Sequence, residues 1–404
     1  MVNLGYIKQL AMRAKSVVND ARKNMLSPDA AKRQPYFSLS DVEEITGLPY
    51  IRLIKSLKTA VDDEGPLPQG FTKEELGEAG SGLDGRGQKR FFTATEHCRL
   101  IRYFSPELTR PKGAPGIVIA ICNYKGGVTK STSTACFAQA LSTFGFGKVC
   151  LVDLDPQGSL TNIYGYMQIL DVETSQTAFP VLNGTTNTLK PNVRPTYWPG
   201  IDIVPSDPGL QRVESTFRKD IETYGGISVM SRMAEPLDQL RKEYDFILID
   251  TPPSLNNLTS HAILNCDGVV MPLPPSNLDL SSASKFWDLF IESCKELGIT
   301  NDDTPLFHFL KVFPTKTENT RSSRTVLGWI KDTYGRYFLD ILVPKSAAVA
   351  TASDAFGTVF DTPVRGAGKK TASHDEVRNA YLDITKELIT EARDIWLTKR
   401  TESN

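Results

Sequence analysis

The apolar runs of this chain are too continuous to be strands with one wet face. Ile117–Cys122, the run from Lys148 to Asp153, Phe246–Asp250 and Gly268–Leu273 lack the apolar–polar alternation of a half-solvated sheet. Strands covered on both faces belong to a mostly parallel sheet, and helical patterns lie between these runs, as its crossovers require. The fold class that follows is α/β. Further strands are expected at Phe307–Phe313 and Asp340–Val343, and a last helix from Asp375 to Arg400. Ligands of such sheets bind at the carboxyl ends of the strands, where two of these runs end in aspartate, Asp153 and Asp250.

The first run leads into Lys125-Gly126-Gly127-Val128-Thr129-Lys130-Ser131-Thr132, and a helical pattern follows to about Phe144. Strand, glycine-containing turn and helix form the setting of a phosphate-binding loop. Its backbone N–H groups point inward and the helix N-terminus adds positive charge. Lys130 is expected to reach the β- and γ-phosphates and Ser131 to ligate Mg²⁺. Asp250 suits a magnesium-side carboxylate, while Asp153 and Asp155 place further carboxylates beside the loop, one of them available to orient a water. The strict phosphate-loop pattern fails at both of its glycines, where Tyr124 and Thr129 stand. A second lysine, Lys125, stands at the loop entrance.

At 404 residues the chain exceeds one ordinary core, and the front end reads as separate from the sheet. Leu4, Ile7, Ala11, Ala14, Val18, Ala21 and Met25 make one face of a helix over residues 1–26, which must dock on its own domain or on a second copy. Residues 36–105 read as a mainly helical winged helix-turn-helix. Ser40 and Glu43 are expected to cap a first helix, Gly47 ends it, Pro49 opens a second, and Thr93 with Glu96 caps a third. Tyr50, Arg52, Lys55 and Lys58 on the second helix, with Arg86, Lys89 and Arg90 near a glycine-rich tip, are candidate DNA contacts. Residues 106–116, rich in proline and glycine, form a linker to an α/β domain over 117–404.

A net charge of −1 confines any nucleic-acid surface to a local patch. No apolar run reaches the roughly 18 residues of a spanning helix, and the N-terminus lacks the pattern of a secretory signal. Six cysteines without CxxC spacing and four histidines without ligand spacing point to a reduced, cytoplasmic protein with no zinc site.

The loop resembles the deviant Walker A motif, xKGGxxK[ST], of the ParA/MinD ATPases. Asp153–Gly158 is similar to the DxDPQ segment of that family, and Tyr244–Pro253 to its Walker B segment. With the front end, the chain looks like the larger, type Ia, plasmid-type ParA partition ATPases. The resemblance implies a sheet of P-loop NTPase type, ATP and Mg²⁺ as cofactors, and weak basal ATPase activity. It assigns Lys125 to the phosphates of a second subunit in an ATP-sandwich homodimer, Lys130 to the loop lysine, and Asp155 to the water-positioning aspartate. Gly126 to Thr132 hold nucleotide, with Pro344 near the adenine, and Ser131, Asp153 and Asp250 surround the metal. Lys316, Arg321, Arg324 and Lys345 fall where relatives carry cations for non-specific DNA. It further implies a nucleoid-associated protein that segregates DNA, answers to a ParB-type partner and represses its own operon. Two alternatives share the motifs. One is a MinD-type membrane regulator, for which the Trp396–Glu402 tail offers little; the other is a nucleotide-responsive transcriptional regulator without significant turnover.

Overall fold

Seven strands form the expected sheet, and six of them run parallel. The computed structural model describes residues 3–25, 32–80, 83, 89–346, 356–361 and 372–402. Ahead of the sheet come α1 (Leu4–Met25), β1 (Tyr36–Ser38), α2 (Leu39–Thr46), α3 (Tyr50–Leu57), β2 (Val61–Asp62), β3 (Gly65–Pro66), β4 (Phe91–Thr93) and α4 (Ala94–Phe104). The sheet holds β5 (Ile117–Ile121), β6 (Val149–Asp153), β7 (Arg194–Pro195), β8 (Ile201–Val204), β9 (Phe246–Asp250), β10 (Gly268–Leu273) and β11 (Phe309–Pro314). Their order is β11-β10-β5-β9-β6-β8-β7, with only β7 antiparallel to its neighbour. The main helices are α5 (Lys130–Thr143), α6 (Asn277–Glu296), α7 (Arg321–Tyr334) and α8 (Ala372–Glu402).

Alternate residues of each strand feed two cores. Ile117, Ile119, Ile121, Leu151 and Leu248 face α5 and α8, while Val118, Ala120, Val152, Ile247 and Ile249 line the opposite layer. This explains why the strands read as unbroken apolar runs. Helix α5 is buried on almost every side, between the sheet, α8 and the front-end module, so its sequence carries no polar stripe. Register then does the decisive work for the site. Asp250 is the Cα partner of both Ile121 and Asp153, so the loop after β5 and the two aspartates emerge side by side at one edge.

The front end has its own small core of Leu39, Val42, Leu53, Leu57, Phe92, Leu100 and neighbours. It packs tightly on the sheet domain. The His97 ring stacks on Phe37 with centroids 4.1 Å apart and donates from Nε2 to the Thr143 carbonyl at 2.7 Å. Gly145, at φ +91°, lets Ile101 approach so closely that a Cβ there would lie 2.5 Å from it. In α1, Leu4, Ile7, Ala11 and Ala14 remain exposed, so the first half of that stripe is not covered by the described part of its own chain.

Two local expectations change. The first cap is Ser38 with Asp41, not Ser40 with Glu43, because Ser38 ends β1 and Leu39 is already helical. Glu43 instead accepts the Tyr50 N–H at 3.0 Å, joining α2 to α3. Asp340–Val343 is no strand: Leu339 and Val343 donate singly to the Val312 and Pro314 carbonyls, and the only pairings nearby among the described residues are isolated bridges of Phe338 with Val312 and of Pro344 with Thr317. The glycine-rich tip with Arg86 lies outside the described residues.

Candidate nucleotide site

The loop between β5 and α5 is held by its neighbours at every turn. Asn123 donates to the Pro272 carbonyl at 2.7 Å and accepts the Lys125 N–H at 3.2 Å, fixing the loop entrance against β10. Gly127 takes φ +73°, a left-handed bend that glycine enters without a steric penalty. Thr129, at φ +76°, takes the same bend with a β-branched side chain, a conformation that costs on the order of 1–2 kcal/mol. Beyond β11, Thr315 and Lys316 reach back, donating to the carbonyls of Val128 at 3.4 Å and Gly127 at 2.7 Å.

Three charged side chains meet beneath this loop. Lys130 is nearly buried and donates to the Lys125 carbonyl at 3.0 Å. Burial pushes its pKa down, and the Asp250 and Asp155 charges oppose that. Asp250 is fully buried, and neither of its oxygens has a hydrogen-bond partner of standard geometry among the described residues. Burial, aided by the Asp153 charge, holds its pKa well above the carboxylate range; the Ser131 hydroxyl and Lys130 offset only part of this. Asp155 is likewise raised by burial, and its Oδ1 accepts the Gln157 N–H at 2.9 Å.

Asp153 differs from expectation. Its Oδ2 accepts both the N–H and the hydroxyl of Thr161, at 2.9 and 2.7 Å, and its Oδ1 accepts the Asp155 N–H at 3.1 Å. Burial still pushes its pKa up to about 7. It therefore clamps the Asp155 turn to the following short helix, and Asp250 is left as the carboxylate with oxygens to give.

The donor set fits Mg²⁺. Among the described residues no three His, Cys, Asp or Glu side chains are grouped to hold a metal. Mg²⁺ needs no such cage, because it takes one or two carboxylates, water and substrate phosphate oxygens. The unpartnered oxygens of Asp250, with the Ser131 hydroxyl acting on them, supply what such an ion lacks.

Residues 116–302 match the AAA domain family. The chromosome partitioning protein ParA of Caulobacter vibrioides is 30% identical over 280 residues, covering 69% of this chain and 95% of that protein. The chain belongs to the ParA-type P-loop ATPases. Plasmid partition protein A of Escherichia coli is 26% identical over 68% of this chain and 70% of its own length. A solved partition protein superposes with a TM-score of 0.61 at 20% identity, covering 96% of this chain and 98% of that one. ParA-type relatives thus act in plasmid and chromosome partition, and the phosphate-loop fold is common to them.

The structure separates the candidate DNA contacts. Arg52 and Lys55 on α3, and Lys58 just past its end, are exposed, whereas Tyr50 is half-buried against the front-end core. Arg90 pairs with Glu75 at 3.0 Å, and Lys89 lies over the Phe91 ring. Arg321 and Arg324 are exposed on the first turn of α7, with Arg324 donating to Asn319. Lys345 pairs with Glu318 at 2.6 Å. Lys316, expected on a DNA face, instead has its ammonium on the phosphate loop. Pro344 bridges Thr317, one residue from Lys316, so the predicted adenine side and the loop share one support. Trp396, the one aromatic group of the tail, is buried and donates to the Pro115 carbonyl, so it is no membrane anchor. No helix among the described residues is long and apolar enough to cross a membrane.

Sequence reasoning missed Asp279, whose carboxylate meets the Lys125 ammonium at 2.9 Å. Its only trace in the sequence is a cap: Ser276 lies three residues earlier and accepts its N–H. It also missed Thr161, whose N–H and hydroxyl hold Asp153, and Asn123, whose side chain bonds backbone groups of Pro272 and Lys125.

Proposed function

We propose that this ParA-type chain is a DNA-segregation ATPase that binds ATP between two subunits, and in that state holds non-specific DNA. The observation that carries the reading is the pairing of two lysines in one loop. Lys130 is buried beneath the phosphates' place, while the Lys125 side chain is 39% exposed at the rim, paired with Asp279 and placed to reach across to a second subunit once it leaves that partner. Mg²⁺, when bound, would neutralise charge on the β- and γ-phosphates. The residues themselves divide the remaining work. Ser131 and Asp250 hold the ion, the backbone from Gly126 to Thr132 cradles phosphate, and Lys130 spans the β- and γ-groups. Asp155, held by Gln157 and the Asp153 clamp, orients the attacking water, and Pro344 borders the adenine.

Basal turnover would be weak and dependent on Mg²⁺, the ion that neutralises the phosphate charge. A ParB-type centromere-binding partner would raise it and release the DNA. The front-end module would repress the chain's own operon through Arg52 and Lys55 on α3 and Lys58 at its end, and the protein would sit on the nucleoid of the cytoplasm. The partition names of its relatives support this reading, as does the burial of Trp396.

The deciding experiment is DNA retention with no nucleotide, ADP and ATP, on the native promoter and on random sequence. Retention on random DNA only with ATP, and a promoter shift with ADP, are expected. Random DNA held equally in all three states would exclude the partition reading.

A further inference from the structure

Thr129 stands in a left-handed bend that its β-branched side chain disfavours, and its hydroxyl is not idle. Thr129 Oγ1 lies 3.2 Å from Ser133 Oγ, one turn along α5, and Ser133 Oγ lies 2.9 Å from the Tyr381 phenol oxygen on α8. Ser133 and Tyr381 are 0% and 2% exposed and Thr129 is half-buried, so the inner two hydroxyls are out of reach of bulk water and depend on this chain for partners. The Tyr381 ring is set edge-on to Phe137 and Phe313, at 5.5 and 6.5 Å, which fixes where its oxygen can point. Phe313 in turn lies two residues before Thr315, which bonds the loop from its other side.

A threonine in place of glycine is therefore coupled to a tyrosine 248 residues away from Ser133 in the chain. Left-handed threonine persists only where its surroundings over-determine it. We propose that Thr129, Ser133 and Tyr381 form a hydroxyl relay that holds the phosphate loop in its left-handed bend, making Tyr381 of the last helix a positioning residue for nucleotide phosphate. A glycine loop needs no such support. The bend at Thr129 sets the direction of the first N–H groups of α5, the groups that a phosphate would meet. Losing the relay frees Thr129 to relax toward an ordinary backbone conformation and turns those donors away. This inference rests on the loop binding nucleotide.

The test is a double-mutant cycle. Affinity for Mg·ADP and Mg·ATP is measured by calorimetry for the wild type, Tyr381→Phe, Thr129→Gly and the double variant, with thermal midpoints recorded alongside. Tyr381→Phe keeps the ring packing and removes one oxygen. In the wild-type background it is expected to weaken nucleotide binding about 5-fold, the worth of a net hydrogen bond. In the Thr129→Gly background it should weaken binding less than twofold, because glycine takes the bend unaided. Its effect on the thermal midpoint should be the same in both backgrounds. Ser133→Ala, which cuts the relay in the middle and leaves Tyr381 in place, should repeat the pattern. Equal losses of affinity in the two backgrounds, or no loss in the wild-type background, overturn the relay while leaving nucleotide binding intact. A wild type that binds neither nucleotide overturns the phosphate-loop reading and the relay together.

Discussion

The ammonium of Lys125 and the carboxylate of Asp279 meet at 2.9 Å, the lysine at the mouth of the phosphate loop and the aspartate on the first turn of α6. Asp279 is held in place by Ser276, whose hydroxyl donates to its Oδ2 and accepts its N–H. A lysine that is to reach the phosphates of a second subunit must first leave this partner. The pair is half-open to solvent on the lysine side, so its rupture costs about 1 kcal/mol at most. Asp279→Asn is therefore expected to lower the protein concentration needed for ATP-dependent dimerisation about 3–5-fold, and Lys125→Ala to prevent dimerisation. Sedimentation with a slowly hydrolysed ATP analogue reads both. A Lys125→Ala variant that dimerised like the wild type would remove the sandwich from the mechanism.

Lys316 makes a second prediction because it has two candidate roles. Its φ of +50° is one of three positive values among the non-glycine residues described, and another is Thr129, against which its loop packs. Strain at two contacting loops is concentrated where the phosphates would sit. With its ammonium on the Gly127 carbonyl, Lys316→Met should weaken Mg·ADP binding roughly 3–10-fold, the range of a charged hydrogen bond lost from a partly exposed site. Retention on random DNA by nucleotide-saturated protein, and its dependence on salt, should be unchanged. A flatter salt dependence with unaltered nucleotide affinity would return Lys316 to the DNA face.

The two aspartates of the site should fail differently. Asp155→Ala is expected to cut hydrolysis about 100-fold while nucleotide affinity stays within roughly threefold, since the residue acts on water. Asp250→Asn should abolish Mg²⁺-dependent turnover and also leave the nucleotide-free protein as stable as before or more so. The substitution removes a buried carboxylate whose oxygens have no hydrogen-bond partner in standard geometry among the described residues. Hydrolysis assays and thermal unfolding of the nucleotide-free variants check both. An Asp250→Asn protein that lost several degrees of stability would show that the carboxylate serves the fold.

Much of this site is legible in the sequence because its parts are local. The strands announce themselves by unbroken apolar runs, and each run ends in the residue that the sheet delivers to the site: Asp153, Asp250, and the loop after Ile121. What register and packing add is less visible. Nothing in the sequence separates the satisfied Asp153 from the unpartnered Asp250, because the difference lies in Thr161, eight residues along, whose short helix turns back on it. The pairing of Lys125 with Asp279 and of Lys316 with Gly127 spans crossovers whose geometry no local pattern encodes. The cap falls at Ser38, two residues before the expected Ser40, because two serines precede the same apolar run and only the pairing of β1 with β4 decides between them.

His261 gives the pH prediction. It is fully buried on the helix Asn257–Leu264, its Nδ1 donates to the Met230 carbonyl at 3.2 Å, and its Nε2 has no partner among the described residues. Burial, with help from the Arg232 charge, pushes its pKa down to about 4, against the Met230 carbonyl. In the unfolded chain the ordinary value is about 6.5. The folded value is the lower one, so between these limits the unfolded state binds more protons. The stability linked to His261 is then present in full above pH ~6.5 and is lost as pH falls toward 4. A shift of this size corresponds to roughly 3 kcal/mol at most. Urea unfolding of the wild type should show stability dropping across that window, and His261→Gln, which cannot titrate there, should show a shallower drop whatever its stability at neutral pH. Identical pH profiles for the two proteins would mean that His261 is protonated in the folded state, with water or a conformational change supplying the missing partner.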